Sequence, residues 1–134
     1  MKFALLLYAD LSQAPQYTPE EGAAAQQSWF TLLDEMKAAN VYVENYGFSP
    51  VAKARTVRVR NGKTVTTDGP FAATTEELGG YFLLDCKDFD EAIGWAAKIP
   101  YASGGTIEVR PIIAYTADMA KKAAGDKAYH SAVS

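Results

Sequence analysis

Apolar residues fill both faces of the first segment, Lys2-Phe3-Ala4-Leu5-Leu6-Leu7-Tyr8, where odd and even positions alike are non-polar. A strand with one wet side alternates apolar with polar, so this one is expected to be covered on two sides. A turn-rich stretch leads to Thr18-Pro19-Glu20-Glu21. Thr18 can cap a helix, Pro19 suits its first position, and Glu21 stands where a capping-box carboxylate belongs. Ala25, Trp29, Leu32, Leu33 and Met36 then recur at three and four residues, the apolar stripe of a helix that Asn40 can end in a left-handed conformation.

Val41 to Tyr46 is β-branched and aromatic, and Gly47-Phe48-Ser49-Pro50 breaks it, which predicts a short strand and a loop. Arg55 to Arg60 and Lys63 to Thr67 flank Asn61-Gly62, a pair suited to the positive φ angles of a tight hairpin turn. Arg58 and Arg60 alternate with Val57 and Val59, so one face of this ribbon is expected to pack and the other to be basic. Tyr81-Phe82-Leu83-Leu84 is another strand without polar relief. Asp88 and Glu91 repeat the capping spacing before a second helix, with Phe89, Ile93, Ala96 and Ala97 as its expected stripe and Pro100 as its end. Gly104-Gly105 opens the last strand, Thr106 to Ile113, where Ile107 and Val109 share one face and Thr106, Glu108 and Arg110 the other.

The order β-α-β, hairpin, β-α-β predicts an α+β fold of the ferredoxin-like kind, an antiparallel sheet with two helices on one face. The apolar residues on the other face call for a partner, and a second copy across a two-fold axis supplies one. Residues 1–113 are expected to form the domain and 114–134 a C-terminal extension, where His130 reads as solvent-exposed.

Composition narrows the function classes. Of 134 residues 49% are hydrophobic, and 13 Lys and Arg against 16 Asp and Glu leave a net charge of −3, which argues against disorder and against nucleic acid as a partner. No apolar run approaches a membrane span, and no cleavage pattern follows the first strand, so neither a membrane partner nor a secretory leader is expected. The one cysteine, Cys86, cannot form an internal disulfide and reads as a small buried hydrophobe in a cytoplasmic protein. One histidine and one cysteine are too few for a soft metal site, the glycine pairs lack phosphate-loop spacing, and no cofactor is expected.

The most distinctive local signal is Asp68-Gly69-Pro70-Phe71. Asp can accept backbone N–H bonds at the head of a turn, so the quartet reads either as a rigid corner or as a corner holding Asp68 and Phe71 at a cavity mouth, with Asp68 as acid or base. Arg110 could bind a carboxylate and Glu108 lies on the same face, although an ordinary cross-strand or intersubunit salt bridge is the simpler account of the two. Tyr8 could donate its hydroxyl to the same cavity or simply pack.

Asp68-Gly69-Pro70-Phe71-Ala72, Glu76, Leu78-Gly79-Gly80-Tyr81, Asp90-Glu91-Ala92 and Gly105-Thr106-Ile107-Glu108-Val109-Arg110-Pro111-Ile112, in that order, resemble the DGPF-domain proteins of the YCII-related superfamily over roughly residues 2–113. The resemblance implies a ferredoxin-like protomer paired into a dimeric α+β barrel. It implies less about activity, since some relatives are encoded beside sigma factors and a few are dehalogenases or lactone-processing enzymes. Relatives with proposed catalysis carry a His-Asp pair with its histidine on the first helix, and residues 19–39 here contain no histidine. The family's Glu-Thr-Lys-Glu after the corner has become Ala73-Thr74-Thr75-Glu76, so Glu76 alone keeps its charge. Two readings follow. The first is a homodimeric accessory or regulatory protein binding a small acidic or aromatic-derived molecule, with Tyr8, Phe71, Glu76, Glu108 and Arg110 around the ligand. The alternative is an enzyme of the lactone isomerase or dehydrohalogenase kind using Asp68 as acid and base.

Overall fold

A computed structural model of the chain describes residues 1–116, 118 and 119. Strand β1 (Lys2–Ala9) leads through a 3-10 turn at Leu11–Gln13 into helix α1 (Pro19–Ala38). Strand β2 (Tyr42–Gly47) follows, then the ribbon of β3 (Arg55–Arg60) and β4 (Lys63–Asp68). Strand β5 (Glu77–Asp85), helix α2 (Phe89–Lys98), a 3-10 turn at Pro100–Ser103 and strand β6 (Thr106–Pro111) complete the order. The strands β2-β5-β1-β6 form one antiparallel sheet, and β3-β4 form a separate two-stranded one. This is the ferredoxin-like order with a hairpin inserted in the middle, as the element sequence predicts.

The local signals act as their chemistry requires. Thr18 accepts from the Glu21 N–H at 3.2 Å while Glu21 accepts from the Thr18 N–H at 3.3 Å, a complete capping box. Asn40 ends α1 with φ 61°, and Asn61 and Gly62 turn the hairpin with φ 51° and 73°. Phe3, Leu5, Leu7, Phe82 and Leu84 project from the sheet onto Leu32 and Met36 of α1 and Ala92 and Ala96 of α2, and these residues form the core. Both helices therefore lie on one face.

Two expectations need correcting. In α2 the inward residues are Ala92, Ala96 and the following Ile99, with Trp95 half-buried, whereas Phe89 is 43% and Ile93 50% exposed and Ala97 faces solvent. The stripe is rotated from the expected one because small alanines let the helix lie close to the sheet; Phe89 meets buried Phe3 edge-on at 5.2 Å from the rim, and Ile93 stays outside. In the hairpin neither face packs on the other described residues, as Val57 and Val59 are each 61% exposed. The expected extension is described only to 116 and at 118 and 119, and His130 lies outside the described residues.

Candidate functional site

Among the described residues no helix or strand lies over the sheet face away from the helices. The register places Ala4, Leu6 and Tyr8 of β1 beside Arg110, Glu108 and Thr106 of β6, and beside Leu83, Tyr81 and Leu78 of β5. Glu44 and Tyr46 of β2 stand opposite Leu83 and Tyr81 on the same face. Glu108 and Arg110 thus face away from the helices, with Ile107 and Val109 packed on the core side. Tyr81 donates its hydroxyl to Glu44 at 2.9 Å, and its ring lies 6.1 Å from Tyr46 and 6.0 Å from Phe48. That hydrogen bond, then burial and the Glu44 charge, raise the Tyr81 pKa above the usual tyrosine value. Glu76 accepts from the Thr106 hydroxyl at 3.1 Å, which ties the start of β5 to the start of β6 near Tyr8. Four predicted residues, Tyr8, Glu76, Glu108 and Arg110, are therefore gathered on or beside one face.

Asp68 and Phe71 lie elsewhere, at the base of the hairpin. Asp68 closes β4 opposite Arg55 and accepts from its guanidinium, an exposed ion pair. Backbone contacts fix the corner: Gly69 donates its N–H to the Ala54 carbonyl at 2.7 Å, and the Thr56 hydroxyl donates to the Gly69 carbonyl at 2.9 Å. Gly69 itself has φ 94°, a conformation suited to glycine. Among the described residues the Asp68 carboxylate bonds across the ribbon rather than to the backbone of its own turn. Phe71 is 79% exposed.

A cleft of about 520 Å³ lies on the opposite side, between the β1–α1 connection, α1 and the segment before β6. Asp10, Tyr17, Trp29, Tyr101 and Gly105 supply much of its wall. Trp29 stacks on buried Phe82, with planes 6° apart and centroids 5.9 Å apart, and meets Tyr101 edge-on at 5.9 Å. Glycine at 105 is a packing requirement, because a Cβ there would run into the Tyr8 carbonyl oxygen and reach 3.1 Å from that of Tyr101. Asp10 caps the 3-10 turn, with Oδ1 accepting from the Ser12 N–H at 3.0 Å and hydroxyl at 2.6 Å. Among the described residues the lining holds one carboxylate and no lysine, arginine, histidine or cysteine.

None of the six predicted site residues lines this cleft, although Tyr8 is bonded in sequence to its Ala9. The chain reading treats Trp29 as helix packing and Gly105 as a strand opener. Both descriptions hold, yet neither connects residues 10, 29 and 101. Cys86 is 2% exposed, and burial, helped by Glu91 and Asp85 and opposed by the N-terminal ammonium, pushes its thiol up to about 11. Such a thiol is a poor nucleophile.

A sequence model of the YCII-related domain matches residues 1–116. An uncharacterized protein of Rhizobium meliloti (strain 1021) is 36% identical over 123 residues, spanning 86% of this chain and 94% of its own length. Among the described residues no helix is long and apolar enough to cross a membrane.

Proposed function

The chain belongs to the YCII-related domain family, and on that footing we propose that it acts as a homodimeric small-molecule-binding protein with one ligand in the cleft of each protomer. The observation that carries this reading is the aromatic wall of Trp29 and Tyr101 beside a single carboxylate, Asp10. The volume suits a small organic ligand. Stacking surfaces favour a planar ring, and one uncompensated negative charge favours a neutral or cationic molecule over an anion. Of the two ligand chemistries expected, the lining therefore supports the aromatic-derived one, while among the described residues an acidic ligand would find cations at Lys2 and Arg110 on the open face.

A binding or accessory role fits this site better than acid–base catalysis. Among the described residues the lining offers no histidine, and Asp68 is engaged with Arg55 at the hairpin base. The homodimer is supported by the open sheet face, where Leu6, Tyr81 and Leu83 lie with no element of the described residues over them. A cytoplasmic address is supported by the buried, unpaired Cys86.

The test is fluorescence titration of the Trp95→Phe variant, in which Trp29 alone reports, with benzamidine, indole and benzoate as planar cationic, neutral and anionic probes. Benzamidine and indole should quench while benzoate does not, and Asp10→Asn should reduce the benzamidine response selectively. Equal response to all three, or none to any, overturns the cleft as the ligand site. Sedimentation velocity at micromolar concentration tests the dimer, which a monomeric species would refute.

A further inference from the structure

Among the described residues nothing covers the β3–β4 ribbon on either side. Val57 and Val59 are 61% exposed and Val65 47%, and an isolated two-stranded ribbon is marginally stable in water. Its pleat separates two surfaces. Val57 and Val59 share one with Thr64 and Thr66, whereas Arg58, Arg60 and Lys63 share the other with Val65. Charge follows the same division on a larger scale. Residues 51–68 hold five cations, Lys53, Arg55, Arg58, Arg60 and Lys63, against Asp68, while the rest of the chain holds eight against fifteen acids. The ribbon is thus basic on an acidic body.

We propose that this hairpin is a docking arm that closes over the rim of the open sheet face of a second copy, its basic surface toward the carboxylates there. The inference rests on the homodimer reading and adds the element that holds the pair. Among the described residues Glu44, Glu76, Asp85 and Glu108 stand on or beside that face, Glu44 and Glu76 fixed by the Tyr81 and Thr106 hydroxyls, against two cations, Lys2 and Arg110. A two-fold axis sets each basic arm against the other acidic body, so every attraction is formed twice. The reach suffices: six extended residues span about 20 Å, whereas four strands at normal spacing are about 14 Å across. Nucleic acid is the poorer occupant, because the acidic remainder of the molecule repels it.

Val65→Cys tests the arm directly, since Val65 lies on the basic surface opposite Arg58, Cys86 is buried and the new thiol is the one a maleimide reaches. Labelling should slow as protein concentration rises through the dimerisation range. Arg58→Glu with Arg60→Glu should weaken the dimer by about tenfold or more while leaving the circular dichroism of the protomer unchanged. A dimer with a thiol labelled equally fast at every concentration, and indifferent to the double reversal, overturns the arm and leaves the dimer standing. A monomer at every concentration overturns both. Protection that appears only with added duplex DNA overturns the arm in favour of nucleic acid.

Discussion

At Gly105 the backbone passes so close to the Tyr8 and Tyr101 carbonyls that a methyl group has no place to go. Gly105→Ala should therefore cost about 1–3 kcal/mol, read as a lower thermal midpoint, and should also distort the cleft wall. Cys86 makes a different statement. Its thiol holds the proton to about 11, higher than in the unfolded chain, so its contribution to stability is complete below the ordinary thiol range and is lost as pH rises toward 11. Denaturant unfolding at pH 8 and at pH 11 should show a decline that Cys86→Ala reduces.

Among the elements, those written in contiguous residues were legible from the chain alone. The α1 capping box and the Asn61-Gly62 turn are local hydrogen-bond and φ requirements, and both appear where the residues call for them. Thr18→Ala should remove one half of the box and cost about 1 kcal/mol in thermal or denaturant unfolding. The face α2 buries was not legible, since Phe89 and Ile93 carry more apolar surface than Ala92 and Ala96 and only the closeness of the sheet decides for the alanines. The Asp68 corner shows the same limit: its partner, Arg55, is a cross-strand neighbour 13 residues away. Because that pair is exposed, Asp68→Asn should change stability by less than about 0.5 kcal/mol, measured by thermal unfolding. The cleft is further still from local legibility, because its wall joins the residues after β1, the middle of α1 and the turn before β6.

For the whole molecule, the open sheet face links the fold to its proposed assembly, and it contains a titratable group that can report on it. Tyr81 bonds to Glu44 in the middle of this face, and that bond, burial and the Glu44 charge hold its proton above the usual tyrosine range. A raised pKa in the folded state means the associated contribution is complete below the ordinary value of about 10 and declines as pH rises through the shifted one. Ionisation would also break the donation to Glu44 and set a second negative charge beside the first. In the proposed dimer both copies carry this pair at the contact, so association should weaken at alkaline pH before the protomers unfold. Sedimentation across pH 8 to 11, with circular dichroism on the same samples, should show the dimer dissociating while the secondary structure persists. Tyr81→Phe, which has no proton to lose, should keep its association constant over that range. A wild-type dimer whose strength is flat to the point of unfolding would place Tyr81 outside the contact and move the two-fold axis off this face.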